Sequence, residues 1–175
     1  MTDTGKYDRF SVWLHWLMAA LLLAQIALGI WMQGLPKGGT GIRVYWFNVH
    51  KSIGMLLGLL IALRLAWAVL RPRVPALPQA RHLQIAALSA HRFLYALMLA
   101  MPLTGFFGSV FSGYPIRFFG LKLPFIAEKW DSAKALLSLL HHGAAVALIV
   151  LIALHVLAFL YHQLVLKEPL LQRMR

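Results

Sequence analysis

The sequence predicts an all-α integral membrane protein, a bundle of four transmembrane helices that fills residues 1–175 as one domain. Three observations carry that prediction. Hydrophobic residues make up 61% of the chain and charged residues only 13%, about half the charged share of an ordinary soluble domain. The apolar residues gather in four runs, 10–32, 52–70, 93–111 and 135–166, and only the second holds a charge, Arg64. Each run is long enough to cross a bilayer core, for which a helix needs roughly 20 residues. Only a helix satisfies its own backbone in lipid, so the runs read as helices.

The first helix is placed at 10–32. Its run exceeds the roughly 7–15 residues of a signal-peptide core and no A-x-A site follows, so it is kept as a mature helix. "GLPKGGTGIR" (34–43) is Gly-rich and reads as an outer loop. The second helix, at 50–70, is stopped by the Pro-rich cytoplasmic connection "RPRVPALPQAR" (71–81). "HLQIAALSAHR" (82–92) reads as an interfacial segment or early helical turn ahead of a third helix at 91–111. "SGYPIRFFGLKLPFIAEKWDSAK" (112–134) is too polar and broken to span, and becomes the second outer loop. The fourth helix, at 134–166, would be near 48 Å long, so it must tilt or protrude.

The net charge of +12 reports on the two membrane surfaces rather than on nucleic acid. With four spans both termini share a side. That side collects Lys6, Arg9, Arg71, Arg73, Arg81, Arg92, Lys167, Arg173 and Arg175. Opposite stand Lys37, Arg43, Lys51, Arg117, Lys122, Lys129 and Lys134. The bias favours cytoplasmic termini. The outer cations are either headgroup anchors or a field that steers anions. There is no cysteine, which excludes disulfides, thiolate-held iron–sulfur clusters and covalent C-x-x-C-H haem attachment.

Eight histidines remain, and those inside spans should face the bundle interior and find partners. His141 and His155 are 14 residues apart, hence within about 40° of one helix face and about 21 Å apart along it. That suits two haems stacked in one bundle. His142 falls about 140° from His155 and is expected to be a polar or lipid-interface residue. His162 shares the face of His155 about 10 Å deeper, and pairing it with His141 would separate the irons by about 31 Å. Depth then pairs His15 with His155 in an inner layer and His50 with His141 in an outer one. Small residues one turn on, Ala19, Gly54 and Ala145, with Ala158 beside His155, would let a porphyrin approach. Arg64 lies 14 residues after His50; it is a candidate propionate partner, with snorkelling to headgroups as the alternative. His91 could compete for the inner iron but is assigned interfacial hydrogen bonding, and His82 is placed in a solvated loop. The competing class is a haem-free transporter; the spans hold no Asp or Glu, which counts against it.

The segments "RFSVWLHWLMAALLL" (9–23), "NVHKSIGMLLGLLIALRLAWAVLRP" (48–72), "HRFLYALMLAMPLTG" (91–105) and "LHHGAAVALIVLIALH" (140–155) resemble the bacterial cytochrome b561 family. "YPIRFFGLKLPF" (114–125) resembles the outer loop before their fourth helix. The resemblance implies two non-covalent b-type haems on His15 with His155 and His50 with His141. It further implies the bacterial inner membrane, ubiquinone as electron acceptor and, from superoxide-oxidase-like members, superoxide as donor. For His162 it implies a place beside quinone or a propionate. The alternative function is a membrane-anchor cytochrome subunit that serves a partner dehydrogenase or hydrogenase.

Overall fold

A computed structural model describes residues 6–37, 41–71, 74–75 and 80–174; Arg73 and Arg175 of the charge count lie outside them. The chain is mostly helical. Helix α1 spans Arg9–Trp31 and runs into a short 3₁₀ turn, Met32–Gly34. Helix α2 spans Ile42–Leu70, α3 Arg81–Val110 and α4 Asp131–Leu160. A π-helical turn, Tyr161–Val165, continues α4, and a last short helix, α5, covers Leu170–Arg173. With these turns the four long segments are 26, 29, 30 and 35 residues, each long and apolar enough to cross a membrane. The second and third helices begin at Ile42 and Arg81, earlier than their apolar runs, because polar residues extend a helix readily once it leaves the hydrocarbon.

Close packing follows chain order: α1 on α2, α2 on α3, α3 on α4. The helices bury little. Leu14, Met18 and Ile61 form a small buried cluster, flanked by Phe10, Leu60, Leu65, Tyr95 and Met98, while many Leu, Ile and Val side chains on the spans point outward. That pattern is expected where lipid is the solvent. At one point α2 and α3 approach so closely that a side chain larger than glycine would have to push Pro102 aside by a few tenths of an ångström. A Cβ on Gly58 would lie 3.0 Å from Cβ of Pro102.

Polar side chains fasten the ends. Asp8 caps α1, accepting from the Ser11 N–H at 3.1 Å and the Ser11 hydroxyl at 2.6 Å. It also accepts from the Trp67 indole at 3.3 Å, which ties α1 to the end of α2. At the opposite end Arg43 donates to the carbonyls of Met32, Gln33 and Leu35, closing the C-terminus of α1. The C-terminal tail folds back on α1. The Tyr7 N–H donates to the Arg173 carbonyl and the Trp16 indole to that of Met174.

The loop between α3 and α4 is more ordered than its composition suggests. Strands β1 (Arg117–Phe118) and β2 (Leu121–Lys122) form an antiparallel hairpin. Its two turn residues have positive φ, 47° at Phe119 and 93° at Gly120, the combination that matches strand twist. The Ser52 hydroxyl accepts from the Phe119 N–H at 2.9 Å. That bond pins the hairpin to α2, two residues from His50.

Candidate functional site

The outer layer is built from helices that are not neighbours in the chain. His50 on α2 and His141 on α4 meet with ring centroids 6.4 Å apart and planes at 79°. Two imidazoles on opposite faces of one ion, each on a metal–nitrogen bond of about 2 Å, would have centroids roughly 6.3 Å apart. The spacing fits an iron held axially between them. Each ring is backed by a glycine of an adjacent helix. A Cβ on Gly29 of α1 would come 3.1 Å from Cε1 of His50, and one on Gly105 of α3 would come 3.1 Å from Cε1 of His141. Nδ1 of His141 lies 3.1 Å from the Met101 carbonyl and 3.0 Å from the Thr104 hydroxyl. A carbonyl can only accept, so Nδ1 carries the hydrogen and Nε2 keeps the lone pair that a metal could take. Thr104 is itself anchored, donating to the Ala100 carbonyl at 2.7 Å. His50 differs: its Nδ1 is buried without a partner among the described residues.

The inner layer gathers more charge. His15 on α1 lies within electrostatic reach of Arg64, His155 and His91. The Arg64 Nε donates to the Tyr95 hydroxyl at 3.1 Å, and the guanidinium forms no ion pair among the described residues. His155 meets the ring of His91 edge-on, with centroids 5.6 Å apart and planes at 74°. That is direct aromatic contact, closer than two rings with an ion between them. His91 is exposed, and its ring packs beside that of His155.

One spacing unites the layers. His15 and Gly29, Arg64 and His50, His91 and Gly105, and His155 and His141 are each separated by 14 residues. At about 100° per residue each pair returns to nearly the same face about 21 Å along its helix. Every helix thus contributes once to each layer. The outer layer has two imidazoles and two glycines; the inner has three imidazoles and a guanidinium. Among the described residues no group of three or more His, Cys, Asp or Glu is placed to hold a bare metal ion.

The other histidines separate clearly. His142 is exposed, and its Nδ1 lies 2.7 Å from the Ser138 carbonyl one turn back on its own helix. His82 is exposed in the first turn of α3 rather than in a loop. His162 lies in the π-helical turn, half-buried, with Nδ1 2.8 Å from a Glu168 carboxylate oxygen. The extra residue of a π turn shifts the side chains beyond it. Simple helical phasing from His155 therefore does not set its direction.

The outer cations are not all free. Arg43 is spent on the end of α1, and Lys129 pairs with Asp131 at 2.8 Å. Lys37, Arg117, Lys122 and Lys134 are exposed. Lys134 stands in the first turn of α4, seven residues before His141, and Lys51 adjoins His50 in the chain.

Comparison with known proteins identifies the family. The family described as prokaryotic cytochrome b561 matches residues 6–175. The chain is 30% identical over 175 residues to cytochrome b561 homolog 2 of Escherichia coli strain K12, covering 97% of this chain and 90% of that protein. It is 29% identical over 176 residues to cytochrome b561 homolog 1 of the same organism, covering 97% of each. A protein named probable superoxide oxidase CybB, of Yersinia pestis, is 30% identical over 173 residues, covering 97% of this chain and 95% of that protein.

Proposed function

The chain belongs to the prokaryotic cytochrome b561 family, and we propose that it is a di-haem cytochrome of the bacterial inner membrane that passes electrons from superoxide, outside, to ubiquinone. The observation that carries the proposal is the His50–His141 pair at 6.4 Å, repeated as a second layer by the 14-residue register. Bound b-type haem supplies a one-electron carrier at each layer. His50 and His141 hold the outer group. His15 and His155 hold the inner one, with His91 packed against His155 and Arg64 available to a propionate.

The chemistry balances across the two surfaces. Two superoxide ions each give up one electron and leave as dioxygen. One ubiquinone takes up two electrons and two protons. The exposed outer cations draw an anion toward the outer layer; one relative of similar length carries the name probable superoxide oxidase. At the cytoplasmic edge His162, hydrogen-bonded through Nδ1 to Glu168, is suited to hold and pass a proton beside a reduced quinone. Both termini are placed in the cytoplasm.

The test is a haem count per chain on protein purified in detergent, followed by mixing with superoxide and a ubiquinone analogue in stopped flow. Two haems per chain, reduced by superoxide and reoxidised by quinone, are expected. Fewer than two haems would overturn the ligand assignment. Indifference to superoxide, with reduction by a partner dehydrogenase, would leave an anchor subunit instead.

A further inference from the structure

Two side-chain polar atoms are buried without a hydrogen-bond partner among the described residues: Nδ1 of His50 and Oε1 of Gln25. A buried polar atom left alone forfeits its hydrogen bond to water with nothing in return, so such atoms are rare and call for a reason. These two share one helix contact. Gln25 is only 8% exposed, and its Nε2 donates to the backbone carbonyl of His50 at 2.6 Å. The amide also lies against Gly54 of α2, where a Cβ would stand 3.4 Å from Gln25 Nε2, in ordinary contact. One turn along α1 from Gln25, Gly29 receives the His50 ring itself. Residues 25 and 29 thus share the helix face that α1 turns toward His50.

The two orphaned atoms are chemically complementary. Gln25 Oε1 can only accept. When an imidazole binds metal through Nε2, its Nδ1 carries a hydrogen and must donate. His141 shows what the paired ring obtains at that position, a carbonyl acceptor at 3.1 Å. Among the described residues His50 Nδ1 has no such carbonyl, and the one unpartnered buried side-chain acceptor is Gln25 Oε1.

We infer that Gln25 is the positioning residue of the outer layer, its amide oxygen accepting the Nδ1–H of His50, directly or through one buried water. The inference rests on the reading of His50 as an axial ligand. The amide fixes the ring twice. Its N–H holds the backbone that carries His50, and its oxygen selects the tautomer that presents Nε2. A hydrogen bond on the far nitrogen makes an imidazole a stronger donor to the metal. A stronger donor favours ferric over ferrous iron. Gln25 therefore holds the outer potential low without touching the cofactor, and it acts on one layer only.

The experiment is a redox titration with optical and low-temperature EPR readout on three purified variants: His50→Ala, Gln25→Leu and Gln25→Glu. His50→Ala should lose one haem per chain. If it keeps both, the ligand reading fails and the role of Gln25 falls with it. Gln25→Leu keeps the shape and removes the acceptor. It should retain two haems and shift the ferric preference of one of them about tenfold, about 59 mV upward for one electron, leaving the other unmoved. Gln25→Glu keeps an acceptor oxygen and should leave that potential at or below the native value. Should the Leu variant fail to load haem, the Glu variant decides: a native or lower potential supports the inference and a raised one overturns it. Unchanged potentials in Gln25→Leu, or equal shifts at both haems, would overturn it while leaving the His50 assignment standing.

Discussion

Adjacent residues with identical side chains can have opposite fates in a bundle, and His141 and His142 are the case here. His141 turns inward, is backed by Gly105 and has its Nδ1 fixed on Met101 and Thr104. His142 is exposed and satisfies its Nδ1 on its own helix at Ser138. His141→Ala should therefore lower haem content from two per chain to one, whereas His142→Ala should keep both, as pyridine haemochrome analysis would report. Asp8 makes a second residue-level case. Partial burial opposes its ionisation, yet hydrogen bonds from the Ser11 hydroxyl, the Ser11 N–H and the Trp67 indole, with the charge of Arg71, hold its carboxyl below the usual value. A carboxyl whose folded value is depressed stabilises the fold at pH above its unfolded value, about 3.9. That stabilisation drains away as pH falls through the folded value. Asp8→Ala should cost about 1 kcal/mol at neutral pH, the usual worth of a helix cap. The gap between variant and native protein in thermal unfolding should narrow as pH is taken below about 4.

At the scale of elements, the spans were legible because run length alone decides what can cross a bilayer. The 14-residue register was legible on α2 and α4, where both members of the pair are chemically conspicuous. It was missed on α1 and α3, where the outer member is glycine. Gly29 and Gly105 matter for the ring of a different helix, and sequence periodicity describes one helix at a time. The small residues read from the sequence lie one turn beyond each histidine on its own helix; the closest clearances come from the neighbours. The sequence assigns His91 interfacial hydrogen bonding; its side chain is exposed, and its ring also meets that of His155. Two further features had no periodic signal: the π turn that carries His162 and the hairpin pinned to Ser52. The glycine argument is open to direct test. Gly105→Val would drive a branched side chain into the His141 ring, and should reduce haem from two per chain toward one while circular dichroism stays helical. Gly143, where a Cβ meets nothing within 4 Å, is the control. Gly143→Ala should keep both haems and should not weaken α4, since alanine favours a helix interior by up to about 1 kcal/mol over glycine.

For the whole molecule the question is how a strongly basic chain uses its charge. The sequence distributes cations almost evenly over the two membrane surfaces, which by itself separates neither anchoring from steering. The structure narrows the choice by removing Arg43, which closes α1, and Lys129, which pairs with Asp131. What remains at the His50 end is a smaller set, and exposed Lys134 stands out because it lies in the first turn of α4, seven residues before His141. A headgroup anchor would affect insertion and little else. A steering charge would affect the encounter rate with an anion, and only at low ionic strength. Lys134→Glu changes the local charge by two units. If the cations steer, the second-order rate of haem reduction by superoxide should fall about tenfold at low salt, toward the lower end of typical steering effects. The difference should close as salt is raised, because the screening length shrinks from about 10 Å at 0.1 M to about 3 Å at 1 M. Reduction by a neutral donor should be unaffected at every salt concentration. A rate constant for superoxide that ignores both the substitution and the salt would return the outer cations to lipid anchoring, and the donor would then have to be recognised by contact rather than by field.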